Sequence, residues 1–258
     1  MRWAYDITGT EPIIRDLPVY DGSALVNGEL LMLGTTDPDS NADQGISLIT
    51  AYVSNSANEA ADAVGILTEG TYASSNAPDA IYGTDSAGAD YGKVIINPFA
   101  VYRAEYLQGT SNDVAIASVA TTTLTVSSLE DAIDGGWVFF PLNATGVKNS
   151  LRFIVASASG SCTMDSALVG TASTADTIIK ILPQHHQLVA LDTGATGLCS
   201  VGAAAGSTTK IIILENYIES FAHAMQPLRR VTHAGLNNLS NAKFYADILC
   251  TDHLFNVS

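Results

Sequence analysis

The sequence predicts a mainly β protein: a β-barrel or β-sandwich main module with an extended N-terminal arm and at most short helices. Three observations predict it. Seven short runs between Asp113 and Ile218 are rich in Val, Ile, Thr, Phe and Trp and are separated by turn residues, the composition of pleated, half-buried surfaces in barrels and sandwiches. Tyr91 to Gln108, YGKVIINPFAVYRAEYLQ, concentrates apolar and aromatic residues around an Asn97-Pro98 break, as expected of a core strand pair at the entry to the main module. Apolar residues make up 47% and charged residues 14% of 258 positions, so the chain can bury a sizeable core and lies outside the disordered range.

The elements follow in order. Met1 to Pro18 mixes Trp3, Tyr5, Ile7, Ile13, Ile14 and Leu17 with Pro12 and Pro18, which is too interrupted for a helix and too apolar for a free tail. It reads as an extended arm, 1–18, that docks on its own domain or on a neighbouring subunit. Asn27-Gly28 between Leu25-Val26 and Leu30–Leu33 is a two-residue hairpin signal, because that dipeptide tolerates positive φ. The loop Asp37 to Gly45 sets Asp37, Asp39, Asn41 and Asp43 at alternate positions, as a calcium loop does. Ala42 occupies the position of the turn glycine and Leu48 that of the closing glutamate, so the loop reads as a polar turn, with those four residues as the weak calcium candidate. Strands are expected over 46–53 and 60–67, and a long surface loop over 72–91. GADYGK, Gly88 to Lys93, has the wrong spacing for a phosphate loop, and Val94 replaces its Ser or Thr.

Beyond Tyr91–Gln108, strands are expected at Asp113–Val119, Thr122–Val126, Trp137–Phe140, Leu151–Ala156, Thr177–Leu182, Gln187–Leu191 and Lys210–Ile218. One short helix is expected at Leu129–Asp134, capped by Ser128 and stopped by Gly135. The Gly, Ala, Ser and Thr stretches 157–174 and 193–209 read as loops, and Ala242–Leu249 as a strand. The resulting division is a docking arm (1–18), an acidic β/loop region (19–92), a main barrel or sandwich (93–218) and a C-terminal segment (219–258) that packs back on the fold or on a neighbouring subunit.

Charge is unevenly placed. Residues 1–92 carry fourteen acidic side chains against Arg2 and Arg15, a net of −12, whereas residues 93–258 carry twelve acidic against nine basic, a net of −3. Phosphate binding relies on clustered Lys and Arg, so no direct nucleic-acid partner is expected. A basic protein surface or divalent cations suit the acidic third, and a solvated, solubilising face is the plain alternative. The longest apolar runs, such as Ile211–Leu214, fall far short of a membrane helix, and the first residues lack a signal-peptide core, so neither membrane insertion nor ordinary secretion is expected. Cys162, Cys199 and Cys250 are odd in number and widely spaced, the pattern of buried reduced thiols.

No nucleophile elbow, zinc helix or Cys-His pairing stands at informative spacing. His185-His186, His223, His233 and His253 are conceivable metal ligands, although adjacent histidines on a strand face opposite ways. Asp131 and Asp134 are a carboxylate pair of no special spacing. The expectation is a protein that is not an enzyme and needs no cofactor.

Three phrases carry a family resemblance: AVGILTEG at Ala63–Gly70, VIINPFAVYRAEY at Val94–Tyr106 and PLRRVTHAGLNNLSNAKFYADIL at Pro227–Leu249. Set in an acidic, Gly/Ala/Thr-rich chain, they resemble the head decoration, or cement, proteins of tailed bacteriophages. The resemblance implies a β-rich virion protein, often trimeric, on the capsid exterior, tying neighbouring major capsid protein subunits together without catalysis. It would be made in the host cytoplasm. Under it the contact candidates are Trp3, Tyr5, Ile7, Ile13 and Ile14 of the arm, and the adjacent pair Arg229 and Arg230, which could meet an acidic neighbour. The arm is then expected to be dispensable for folding. The alternatives are a carbohydrate- or receptor-binding module of a phage tail or cell surface, and a hydrolase whose residues meet only in three dimensions.

Overall fold

A computed structural model describes residues 2–19, 28, 30–33, 49–51, 63–69, 90–106, 113–126, 134–141, 149–158, 160–168, 178–186, 188–189, 191–193, 199–201, 211–220, 223–230, 239 and 241–250. Among them all regular structure is strand, apart from a one-turn 3-10 helix at Leu228–Arg230. The chain divides into two units: residues 1–104, 191–200 and 249–258, and residues 105–190 and 201–248. This division cuts the sequence differently from the expected 93–218 module, because 93–104 fall in the first unit.

The first unit holds β1 (Arg2–Asp6), β2 (Ile14–Val19), β3 (Leu30–Leu33), β4 (Ile49–Ala51), β5 (Ala63–Glu69), β6 (Asp90–Ile95) and most of β7 (Ala100–Glu105). Strands β2-β4-β3-β5-β6 close into a barrel. All its described contacts are antiparallel except β2–β4, which is parallel and, among the described residues, shows the single pair Val19↔Ile49. Its longest junction is β2–β6, six consecutive pairs from Ile14↔Ile95 to Val19↔Asp90. Leu30, Leu31, Val64, Ile66, Leu67, Val94 and Ile95 are buried. Gly65 is where two strands come too close for a side chain: a Cβ there would lie 1.8 Å from the Ile95 carbonyl oxygen, which is why this strand interior carries glycine.

The first eighteen residues are thus two strands of this unit. β1 pairs antiparallel with β7 through a bulge at Trp3/Tyr5, and β2 is a wall of the barrel. The expectation that residues 1–18 are dispensable for folding is corrected by these ladders, since their removal would delete β1 and open the barrel at β6. A second correction concerns Tyr91–Gln108. Both halves are strands, separated at Asn97-Pro98, yet β6 pairs with β2 and β5 while β7 pairs with β1. The chain turns at Asn97, whose carbonyl accepts the Ala100 N–H at 3.2 Å, and the two strands leave the turn into different sheets.

The second unit contains a six-stranded antiparallel barrel of β8 (Asp113–Ala120), β9 (Thr123–Val126), β10 (Trp137–Phe140), β11 (Ser150–Ala158), β12 (Ser161–Met164) and β13 (Ile178–Leu182). Its closed order is β10-β11-β12-β9-β8-β13, with at least three residue pairs at every junction. Ile116, Leu124, Val126, Val138, Phe140, Ile154, Cys162, Met164, Ile179 and Ile181 fill its core. The stretch 157–174, expected to be loop, contains β12. Ala158 pairs with Ser161, Gly160 adopts φ +73, and Cys162 and Met164 alternate inward. The expected helix at Leu129–Asp134 lies outside the described residues apart from Asp134, which stands in a turn before Gly135.

The rest of the described strands are β14 (Leu188–Val189), β15 (Leu191–Thr193), β16 (Cys199–Val201), β17 (Ile211–Ser220), β18 (His223–Pro227) and β19 (Lys243–Cys250). β15 and β16 pair with each other, whereas β17 is the spine of a sheet in which it neighbours β14, β18 and β19. Phe139 of the barrel packs on Phe244 of β19 at 4.8 Å between ring centroids. Buried Tyr106 donates its hydroxyl to Asn216 Oδ1 at 2.7 Å, and Asn216 Nδ2 donates to the Pro183 carbonyl at 2.6 Å.

Candidate interaction surface

The seven-residue connection from β1 to β2 is built around one buried side chain, Asn97. Its Oδ1 accepts the Ile13 N–H at 2.6 Å, and its Nδ2 donates toward Asp6 Oδ2, Thr10 Oγ1 and the Glu11 carbonyl at 3.0–3.2 Å. Asp6 Oδ1 in turn accepts both the amide of Thr8, at 2.8 Å, and its hydroxyl, the local turn that an Asp two residues ahead favours. Gly9 N–H returns to the Asp6 carbonyl at 3.0 Å, and Gly9 adopts φ +77. Burial pushes the Asp6 carboxyl up, but hydrogen bonds from Thr8, Asn97 and Thr10 outweigh it and hold the group below its ordinary value.

This hub fixes the backbone while leaving apolar side chains outside. Ile7 N–H donates to the Phe99 carbonyl at 3.1 Å, the Ile13 carbonyl accepts the Ile96 N–H at 3.0 Å, and Ile14 pairs with Ile95. Tyr5, Ile7, Ile13, Ile14 and Phe99 are nevertheless 40–53% exposed. Isolated exposed hydrophobes are ordinary on protein surfaces; five of them on the backbone segments that meet near Asn97 are a local concentration of exposed apolar side chains. Because the backbone is already ordered, a partner would meet it at little entropic cost.

Of the contact candidates read from sequence, Tyr5, Ile7, Ile13 and Ile14 are exposed. Trp3 does not join them: it is half-buried, edge-on to Tyr102 at 6.4 Å between centroids. Arg229 is elsewhere, its Nε 2.6 Å from Glu215 Oε2 in the second unit, so its charge is engaged within the chain. The side chain of Arg230 and the calcium candidates Asp37, Asp39, Asn41 and Asp43 lie outside the described residues. Sequence reasoning missed Phe99, Asp6 and above all Asn97. The Asn97-Pro98 break was the only signal for it, and it reads as a turn with no hint of what the amide holds.

No cluster of three or more His, Cys, Asp or Glu side chains that could hold a metal occurs among the described residues. His185 lies beside Glu215, with Nε2 3.1 Å from Oε1, whereas His233 and His253 lie outside the described residues. Cys162 and Cys250 are buried free thiols, and burial pushes Cys162 up to about 11. No helix among the described residues is long and apolar enough to cross a membrane. No family model, no curated protein and no solved structure matches the chain.

Proposed function

We propose that this chain is a decoration protein of a tailed-phage head, binding the outer surface of the capsid and bridging major capsid protein subunits as a homo-oligomer. The observation that carries the reading is the exposure of the apolar side chains of Tyr5, Ile7, Ile13, Ile14 and Phe99. Half-burial of each side chain is worth about 1 kcal/mol, roughly 5 kcal/mol gross for the five before the cost of association. That is weak for one subunit and ample for a lattice, where repeated contacts multiply through avidity. The mainly β architecture and the strongly acidic N-terminal third agree with the same reading.

The test is the copy number of the chain relative to the shell protein in purified particles, followed by re-addition of variants to particles stripped of it. Ile7→Lys with Ile13→Lys alters only exposed side chains, so the variant folds. Loss of rebinding by at least tenfold is the expected result. A handful of copies per particle, or undiminished rebinding of the double variant, would overturn the proposal.

A further inference from the structure

The connection between β1 and β2 is tied by backbone at its two ends and by side chains between them. The Ile7 N–H meets the Phe99 carbonyl and the Ile13 carbonyl meets the Ile96 N–H, whereas Thr8 to Pro12 lies outside any strand. That middle stretch is held by Asp6 and Asn97. Asp6 Oδ1 accepts the Thr8 amide at 2.8 Å and the Thr8 hydroxyl, and Oδ2 accepts Asn97 Nδ2 at 3.2 Å. Three donors thus converge on one buried carboxylate and occupy both of its oxygens.

The groups that hold Asp6 are neutral. They are Thr8, Thr10 and Asn97, with the Tyr102 phenol of β7 also acting on the carboxylate's charge. Burial pushes that phenol far above its ordinary value, so it stays uncharged throughout the acid range. Glu11 is exposed and meets Asn97 through its backbone carbonyl.

We infer that Asp6 is an acid-released clasp: its protonation frees Thr8 to Pro12 from Asp6 and Asn97 while β1 and β2 stay paired in their sheets. The reason is geometric. A proton on Oδ2 sets an O–H against the Nδ2–H of Asn97, and a proton on Oδ1 sets it against the Thr8 amide, so one donor must give way in either case. Asn97 Oδ1 still holds the Ile13 N–H, which confines the release to the stretch before Ile13. The clasp works with or without a capsid partner. Its sign follows from linkage. Burial raises the carboxyl and the hydrogen bonds from Thr8, Asn97 and Thr10 outweigh it, leaving the closed form below its ordinary value. Closure is therefore complete above that ordinary value, about 3.9, and is lost as pH falls from there toward the lowered one.

The experiment is hydrogen exchange of the full chain from pH 6.0 to 2.5, corrected for the intrinsic rate and read at the Thr8 and Gly9 amides. Protection there is expected to fall below about pH 3.9, by no more than tenfold per pH unit, the one-proton limit, while the β2–β6 ladder keeps its own. Asp6→Asn presents an N–H to Asn97 as the protonated acid presents an O–H. It should show the low protection at every pH, and Glu11→Gln should keep the fall. Constant protection in the unsubstituted protein, an equal fall along the β2–β6 ladder, or a fall that survives in Asp6→Asn overturns the clasp. Should Asp6→Asn not fold, an NMR titration of the Asp6 carboxyl in the unsubstituted chain decides the matter. A midpoint at or above about 3.9, or a Thr8 amide shift that does not follow it, also overturns the clasp.

Discussion

Replacing Asn97 by alanine tests whether the β1–β2 connection is held as described. The substitution removes the acceptor of the Ile13 N–H and the donor shared by Asp6, Thr10 and the Glu11 carbonyl. A neutral hydrogen bond contributes about 1 kcal/mol and one to a carboxylate about 2 kcal/mol; with two amide hydrogens shared among three acceptors the gross loss is about 4 kcal/mol, and partial relief where water can enter leaves roughly 3 kcal/mol. At about 2–4 °C per kcal/mol for a chain of this size, Tm should drop by roughly 6–12 °C. Urea denaturation and thermal melts measure both. Asn97→Asp separates hydrogen bonding from shape, because it sets a second carboxylate where Asn97 now lies 3.2 Å from Asp6 Oδ2. At neutral pH it should cost at least as much as alanine. On acidification one carboxyl of the pair protonates and becomes a donor, so its deficit against the unsubstituted protein should shrink between about pH 7 and pH 4. An Asn97→Ala cost below about 0.5 kcal/mol, or an Asn97→Asp deficit indifferent to pH, would refute the hub.

Further outcomes are expected elsewhere. Gly65→Ala forces a methyl onto the Ile95 carbonyl and should cost about 3 kcal/mol or more, read from the denaturant midpoint. Tyr106→Phe leaves the buried Asn216 Oδ1 without its donor and should cost about 1–2 kcal/mol with the fold retained by circular dichroism. Asp6 is held low, so its contribution is present above the ordinary carboxylate value near 4 and is lost as pH falls through the lowered one; Asp6→Asn should flatten acid melting curves in that range. Cys162, buried with its thiol pushed up to about 11, should resist a thiol reagent at pH 8 until denaturant is added.

The fold class was legible because β-strand chemistry is local. Trp137–Phe140 and Ile178–Leu182 announce themselves by β-branched and aromatic content, and their observed limits differ little from the expected ones. β12 was not legible, since Ser161–Met164 carries only two inward side chains among small polar ones. Strand pairing was hidden for another reason. Tyr91–Val94 and Pro18–Arg15 lie more than seventy residues apart in sequence yet form one ladder, and no local pattern encodes such a meeting. The exposed isoleucines could be suspected because they sit in a stretch too apolar for a tail. The amide that fixes them could not, because Asn97 acts through partners 84 to 91 residues away.

The lone Val19↔Ile49 bridge between β2 and β4 has a kinetic meaning. Among the described residues, every other junction of the first barrel has at least three pairs. Among the described residues the ring is thus thinnest at this parallel junction, and breaking it leaves β2-β6-β5-β3-β4 as an open sheet with its other ladders intact. The first barrel should thus unzip there before anything else is lost, at a low activation cost. The two bared edges, β2 and β4, are complementary to those of another opened molecule. In concentrated solution near the melting temperature, this seam is where strand exchange between copies should begin, and a cysteine pair bridging positions 19 and 49 should suppress it.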